Sequence, residues 1–206
     1  MSKETLSKRG RPVNATLRSR KTQAILDAAR CCFRRHGFHA ATTASIAAEA
    51  RISAGSLYQY FESKDDLIVA IVEEDLRNDL HAVSMIAGAK DFWSGIAEAI
   101  SSFVSADIQP EKMRLWLEIN AEATRNEVVR EVVQRYESSL SRAFARVIES
   151  AQARNEIRAD ISPSHCATLL ISLLDGLFSR AATGSLPQSD FLSRLPDQLR
   201  TLLAPQ

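Results

Sequence analysis

Apolar residues recur at helical spacing along almost the whole chain, and no segment alternates between apolar and polar residues as a half-buried strand does. In the first such segment, Thr22 to His36, one helical face carries Ile25, Leu26, Ala29, Cys32 and Phe33. The pattern returns in segments that begin at Thr43, Ser53, Ser63, Asp91, Pro110, Val128, Pro163 and Phe191. Because this period indicates amphipathic helices, we predict an all-α protein.

The first three predicted helices are one long helix and two short ones, separated by tight turns. Gly37 ends the long helix, at a place where a left-handed residue commonly stands. Thr42 and Ser53 are suitable N-caps for the two short helices. This succession predicts an N-terminal three-helix helix-turn-helix domain, and the later helices predict a C-terminal helical bundle.

The third helix, from Ser53 to Phe61, is too short to be stable alone, because helix nucleation costs more than a few hydrogen bonds return. The helices before it must therefore hold it. We expect Leu57 and Phe61 to be buried against Phe33 and Ile46. The opposite face is then left for a partner.

The net charge of +1 hides a strong division along the chain. Residues 1–64 hold twelve Lys and Arg against four Asp and Glu, whereas residues 65–206 hold fourteen against twenty-one. The first part therefore carries +8 and the second −7. Such asymmetry indicates that the first part meets a polyanion, and for a helix-turn-helix that polyanion is double-stranded DNA.

Residues 1–21 contain seven basic side chains, one acidic one and few apolar residues, which predicts a flexible basic arm. The run Arg9-Gly10-Arg11-Pro12 is extended and narrow. Arg9 and Arg11 are therefore suited to an A·T-rich minor groove, where arginine is favoured. The alternative is a solvated tail that only increases solubility.

The sequence gives no sign of an enzyme, a cofactor or a metal site. Cys31, Cys32 and Cys166 lack the spacing of metal ligands, and the four histidines form no i, i+4 pair. No glycine-rich phosphate loop occurs among the seven glycines. We find neither a signal segment nor an apolar run long enough for a membrane, so we expect a cytoplasmic protein without a membrane partner.

A set of residues with fixed spacing carries a family resemblance: Ile25-Leu-Asp-Ala-Ala, Phe33, Gly37-Phe38, Thr42, Ile46-Ala47, Gly55-x-Leu-Tyr-x-Tyr-Phe and Ser63-Lys64-x-x-Leu67. Through these, residues 25–67 resemble the N-terminal domain of TetR/AcrR-type repressors. Residues 107–184 more loosely resemble the BetI-type C-terminal domain, through Arg114-Leu-Trp-Leu-Glu and Leu174-Asp-Gly-Leu177.

The resemblance implies a ligand-responsive transcriptional regulator, most often a repressor. Such a protein binds a palindromic DNA operator as a homodimer and is released by a small-molecule inducer. The chain then divides into the arm 1–21, a DNA-binding domain at 22–68, and a ligand-binding and dimerisation domain at 69–206. The competing function is a protein-interaction module, or an activator without an inducer, on the same fold.

The resemblance also implies which residues contact DNA. Phosphate contacts of the family correspond to Thr43, Tyr58, Tyr60 and Lys64. Positions that face bases correspond to Ala44, Ala54, Gly55, Ser56 and Gln59, and we add Ser53 at the start of the helix. Among these, Gln59 is the side chain able to pair bidentately with adenine.

This chain departs from the family at two positions near the third helix. Arg51 stands where the family usually has glycine, at a position that often needs a positive φ. Ala54 stands where lysine is common, so one frequent DNA contact is absent. We hypothesise that Arg51 and the basic arm compensate by contacting DNA.

The resemblance places a ligand cavity in the C-terminal domain. We predict ligand contacts from Phe103, Trp116, Asn120, Tyr136, Asp175 and Phe178. Trp116 and Tyr136 are favoured because each has a polar tip that needs a partner when buried, although aromatic stripes are more often plain core. Glu118 either adds polarity near Trp116 or lies on the helix surface. Asp175 is either a pocket anion for a cationic or hydroxylated ligand or a partner at the dimer interface.

The last two helices supply the candidate dimer interface. The segment 163–183 is apolar nearly all round, and the last helix has an apolar face of Phe191, Leu192, Leu195, Leu199 and Leu202. Two such helices from each subunit would form a four-helix interface. The predicted protein partner is therefore a second copy of the chain.

Overall fold

The computed structural model describes residues 12–105, 110–185 and 190–205. Within these ranges the chain is helical and contains no strand, which confirms the predicted fold class. The N-terminal helices are α1 (Pro12–Ala40), α2 (Thr43–Glu49), α3 (Ala54–Tyr58) and α4 (Lys64–Gly88). The others are α5 (Phe92–Ser105), α6 (Pro110–Ala123), α7 (Glu127–Ala153), α8 (Pro163–Ala182) and α9 (Asp190–Leu203). No helix in these ranges is long and apolar enough to cross a membrane.

Helix α1 begins at Pro12, well before the predicted start at Thr22. The prediction of a flexible arm is therefore wrong for residues 12–21. Proline is favoured in the first helical turn, and Leu17 and Arg18 are good helix formers. Because extending a helix costs far less than nucleating one, the amphipathic segment that follows supports this polar extension. Arg9 and Arg11 lie outside the described residues.

Three predicted N-caps start helices α2, α3 and α4. The side-chain oxygens of Thr42, Ser53 and Ser63 each accept a hydrogen bond from the backbone amide three residues later, at 3.0 to 3.1 Å. Each cap satisfies an amide that the helix itself leaves unpaired. Gly37 has a φ of 72°, as predicted, and α1 kinks there before its last turn.

Two hydrophobic cores lie along the molecule. The first is built from α1 to α4 and continues into α6 and α7, and it buries Phe33, Ile46, Leu57 and Phe61 as predicted. The second joins the C-terminal half of α4 to α5, α7 and α8. The first core therefore extends beyond the boundary predicted after residue 68. The helix-turn-helix is packed directly on helices of the C-terminal bundle.

Helices α8 and α9 keep apolar residues uncovered in the single subunit. Leu169 and Leu173, one turn apart on α8, are both exposed, Leu169 by 69%. On α9, Leu202 is 68% exposed. Leu195 and Leu199, which we assigned to the same outer face, instead pack inside the subunit. The side chains of Phe191 and Leu192 lie outside the described residues.

Candidate DNA-binding surface and ligand cavity

Helix α3 buries one face and exposes the other. Leu57 is fully buried in the first core. The residues on the other side are exposed or half-buried: Ala54, Gly55, Ser56 and Gln59. A Cβ added at Gly55 would meet no atom within 4 Å, so the backbone there is open to a partner. Ser53 fixes the start of the helix through its cap.

Two predicted phosphate contacts, Thr43 and Tyr58, lie together on this surface. Their hydroxyl oxygens are 3.0 Å apart. Thr43 begins α2 and Tyr58 ends α3, so the pair bridges the two helices across their turn. Tyr58 is 51% exposed. Since one hydroxyl donates to the other, one proton remains for an acceptor such as a phosphate oxygen.

Tyr60 is less exposed and packs against the first core. The guanidinium carbon of Arg18 lies 5.8 Å from the centre of its ring, a cation–π distance. This contact ties the α1 extension to the end of the helix-turn-helix. The basic residues of the extension are exposed: Arg18, Arg20 and Lys21. Part of the charge expected on a flexible arm is therefore carried on a helix beside α3.

Arg51 lies in the turn between α2 and α3 with a φ of 55°, which confirms the predicted left-handed backbone. The amides of Arg51 and Ile52 donate to the carbonyls of Ala48 and Ala47 at 3.1 and 2.9 Å, and these bonds close α2. The Arg51 side chain is exposed next to the start of α3. This position fits the hypothesis of an added positive charge at the DNA-binding surface.

Lys64 does not point to this surface. Its ammonium group donates to the carbonyls of Phe38, His39 and Ala41 at 2.8, 3.3 and 2.9 Å. It also lies 4.5 Å from the centre of the Phe38 ring. An ammonium group has three protons, and all three are used here. The contacts therefore correct the predicted phosphate role and make Lys64 a brace of the connection between α1 and α2.

Helix α6 contacts the end of α1 through two acids. The carboxylate of Glu118 accepts a hydrogen bond from the Phe38 amide at 3.5 Å. Glu122 is 4% exposed and is the one buried charged residue in the described part of the chain. Its carboxylate pairs with Arg125 at 2.6 Å and lies 3.3 Å from the imidazole of His39. Glu118 thus serves the junction with the helix-turn-helix rather than the cavity.

A cavity of about 250 Å³ lies within the bundle, with chiefly apolar walls from α4 to α9 and a contribution from Arg30 of α1. Three predicted ligand residues line it: Trp116, Tyr136 and Asp175. Asn120 does not line the cavity, which corrects that prediction, and its amide donates to the Trp116 carbonyl of the same helix at 2.9 Å. The side chains of Phe103 and Phe178 lie outside the described residues.

Three carboxylates from three helices also line the cavity: Asp79 of α4, Glu137 of α7 and Asp175 of α8. The Tyr136 hydroxyl donates to Asp79 at 2.6 Å. Burial raises the pKa of Asp79 despite the Tyr136 hydrogen bond, and it raises the pKa of Asp175 in the same way. Burial, then the charge of Asp175, raises the pKa of Glu137.

Burial, with the charge of Asp79 added, also raises the pKa of Tyr136, so the phenol remains a neutral donor. The bases of the wall are Arg30 and Lys112. Arg30 is already occupied, because its guanidinium bonds Asp75 at 2.9 and 3.1 Å and Glu74 at 3.1 Å.

Sequence reasoning missed Asp79 and Glu137, although the pattern contained a signal for Asp79. On α4 this acid falls at helical spacing with the buried residues Val72, Val83 and Ile86. An acid at such a position of an amphipathic helix needs a partner or a polar cavity, and that rule would have found Asp79. Glu137 of α7 is exposed and carries no such signal.

An exposed recognition helix with paired hydroxyls, joined to a bundle with a ligand-sized cavity, defines a DNA-binding regulator rather than an enzyme. Residues 25–71 match the family described as bacterial regulatory proteins, tetR family, and residues 97–204 match the BetI-type transcriptional repressor C-terminal domain. The chain belongs to the TetR family of transcriptional regulators.

Similar proteins span both parts of the chain. UidR of Escherichia coli K12, an HTH-type transcriptional regulator, is 31% identical over 155 residues, which cover 75% of this chain and 78% of UidR. The structure of Salmonella enterica GusR superposes with a TM-score of 0.77 at 28% identity, covering 96% of this chain and 99% of GusR. A transcriptional regulator from Saccharomonospora viridis in complex with choline shares the fold, with a TM-score of 0.76 at 21% identity over 91% and 100% of the two chains.

Proposed function

We propose that the protein is a ligand-responsive transcriptional repressor of the cytoplasm. It binds a palindromic operator as a homodimer and leaves it when a small molecule fills the cavity. The exposed face of α3 beside the Thr43–Tyr58 hydroxyl pair carries this proposal. Such a face suits a helix in the major groove, with the hydroxyl pair donating to a phosphate at the groove edge.

Little of this face is able to distinguish bases. Ala54 and Gly55 are small and exposed, so they let the helix backbone approach the base edges. Gln59 is the exposed side chain with the donor and acceptor needed to read adenine. Arg51 and the basic extension of α1 add charge at the flanks. We therefore expect sequence preference to rest on Gln59 and on DNA shape.

The dimer is supported by the uncovered leucines of the C-terminal helices. Leu169 and Leu173 form one exposed apolar stripe on α8, and Leu202 exposes a further apolar side chain on α9. A second subunit would cover this surface, and twofold symmetry would place two α3 helices on the two halves of a palindrome.

Helix α6 connects the cavity to the DNA-binding domain. Met113 and Trp116 line the cavity, whereas Glu118 and Glu122 on the same helix contact the end of α1. A ligand that displaces Trp116 would move the helix that holds α1, and with it the position of α3. Such a shift lowers operator affinity if the ligand favours the displaced state. The choline complex of the Saccharomonospora viridis regulator supports small-molecule binding in this fold.

Selection of DNA fragments from a random pool by the purified protein tests the proposal. We expect one palindromic sequence to be enriched. The matched control is Thr43→Val with Tyr58→Phe, which removes both hydroxyls and keeps the shape of the surface. A dimer of this double variant would lose the contact twice. We therefore expect its affinity to be about tenfold weaker, for the operator and for random DNA alike. If no sequence is enriched, the proposal of a repressor is wrong. If the double variant binds DNA as tightly as the wild type, the hydroxyl pair does not contact DNA.

A further inference from the structure

The charges of the cavity wall are strongly unbalanced. Its lining contains four acids, Asp75, Asp79, Glu137 and Asp175, against two bases, Arg30 and Lys112. Arg30 is held by Asp75 and by Glu74 at the edge, so this group is satisfied within the protein. Lys112 alone then faces three carboxylates. The cavity therefore offers an excess of negative charge to whatever enters it.

The two aromatic residues of the wall are arranged around these carboxylates. The rings of Trp116 and Tyr136 lie with centres 4.8 Å apart, tilted by 49°. The Tyr136 hydroxyl donates to Asp79. An ionised carboxylate accepts up to about four hydrogen bonds, so Asp79 keeps acceptor capacity after this contact. Aromatic rings beside fixed carboxylates are the groups that attract ammonium ions in proteins.

We propose that the cavity binds an organic cation, with an amine or ammonium group among Asp79, Glu137, Asp175 and the Trp116–Tyr136 pair. The apolar body of the ligand would pack on apolar side chains of the wall, such as Met113, Leu170 and Leu177. The inference rests on the proposed function only in taking this cavity as the effector site. The volume of about 250 Å³ calls for a small molecule.

The electrostatics of the wall favour a cation over an anion or a neutral molecule. Partial burial raises the pKa of all three carboxyls, which means that the wall disfavours their negative charge. A cation removes this penalty when it binds. An anion would add to it, with Lys112 as the available base, and a neutral ligand would leave it unchanged.

Calorimetric titration of the full-length protein with three probes of equal size tests the charge of the ligand. The probes are 2-phenylethylammonium, 2-phenylethanol and phenylacetate, at a pH of about 7.5 where the amine is protonated. We expect the cation to bind about tenfold or more tightly than the alcohol, and the anion to bind most weakly. Binding of the cation no tighter than that of the alcohol would overturn the proposal.

Replacement of the acids locates the preference. Asp79→Asn with Glu137→Gln and Asp175→Asn removes the charge with little change of shape, and it should abolish the advantage of the cation. Glu131→Gln, on the exposed side of the same α7 helix, is the matched control and should retain it. An unchanged preference in the triple variant would assign the charge effect to another site. Operator binding without ligand is a separate readout. If the protein enriches a palindrome but binds phenylacetate more tightly than the cation, the proposed function stands and the inference of a cationic ligand is wrong.

Discussion

Arg51 and Lys64 are both basic residues near α3, yet they have opposite roles. Arg51 keeps its side chain in solvent on a left-handed backbone with a φ of 55°. Lys64 is enclosed by three carbonyls at the end of α1. The family resemblance implied a phosphate contact for Lys64, and we hypothesised a DNA contact for Arg51. The local contacts distinguish the two residues. The Arg51 charge is exposed to a partner, whereas the Lys64 charge is bound within the domain.

Replacing Arg51 with glycine should separate folding from DNA binding. Glycine adopts a left-handed backbone without strain, so the free energy of unfolding should stay equal or rise by up to about 1 kcal/mol. Operator affinity should fall. The slope of log affinity against log salt concentration should become shallower by about 1 for each phosphate contact removed. Urea unfolding and a DNA titration in varied salt measure the two effects.

Asn155→Gly is the matched control for Arg51→Gly. Asn155 also has a positive φ, of 57°, but it lies after α7 and far along the chain from the DNA-binding surface. It should leave operator affinity unchanged. If Arg51→Gly binds DNA with wild-type affinity and salt slope, Arg51 has no part in the interface.

Replacing Lys64 with methionine should weaken the fold rather than a phosphate contact alone. Methionine keeps the length of the side chain but donates to none of the three carbonyls. We expect a loss of about 1–3 kcal/mol in the free energy of unfolding. Lys90→Met, at an exposed lysine after α4, should cause no measurable loss. If the Lys64→Met protein unfolds like the wild type but binds DNA weakly, Lys64 contacts a DNA phosphate as first predicted.

Helix α6 is the element that belongs to both sites. One side of it lines the cavity with Met113 and Trp116. Glu118 and Glu122 extend from it to the last turn of α1, just before α2. The connection is electrostatic and exposed in part, while the cavity side is apolar. A shift of α6 would therefore move the recognition helix α3 through the contacts of Glu118 and Glu122 with the end of α1.

Replacing Glu118 with alanine should loosen the end of α1 without unfolding the bundle. The Phe38 amide would lose its acceptor, so amide hydrogen exchange should become faster at residues 38–41. Glu131→Ala, at an exposed position of α7, should leave this segment unchanged. Equal exchange in both variants would mean that α6 does not hold the end of α1.

The order of the helices was predictable from sequence because it depends on local patterns. Thr42, Ser53 and Ser63 cap the helices that they were expected to cap, and Gly37 has the expected left-handed backbone. The extension of α1 from Pro12 was missed, because a polar segment looks flexible until a neighbouring helix is known to continue through it.

The site residues were only partly predictable, for a different reason. Trp116, Tyr136 and Asp175 line the cavity as expected. The direction of Lys64 depends on carbonyls more than twenty residues earlier in the chain, which no local pattern shows. Asp79 carried a local signal, as an acid among buried helical positions, but its partner Tyr136 is 57 residues away, so the sequence did not show what it contacts.

The molecule as a whole is divided into two cores that share α4 and α7. This sharing makes the DNA-binding domain and the bundle mechanically continuous, since no flexible linker separates them. The leucines of the proposed dimer surface lie on α8 and α9, which are not part of the first core. The proposed dimer and DNA-binding surfaces therefore lie on different helices of one connected body.

Replacing Leu169 with glutamate should separate the subunits without unfolding them. Leu169 is 69% exposed, so the change costs little within one subunit, whereas a buried interface would have to accept an unpaired charge. Met85→Glu is the control, since Met85 is also largely exposed but lies on α4. Light scattering should show a monomer for Leu169→Glu and a dimer for Met85→Glu. A dimeric Leu169→Glu protein would place the interface elsewhere.

The affinity of the purified protein for its selected operator, compared with scrambled DNA of the same length, tests the central claim most directly. Measured between about 50 and 200 mM salt, operator binding should be about a thousandfold tighter than scrambled binding, and both should weaken steeply as salt rises. Equal affinity for the two DNAs, or affinity that salt does not change, would contradict a repressor that reads DNA through α3.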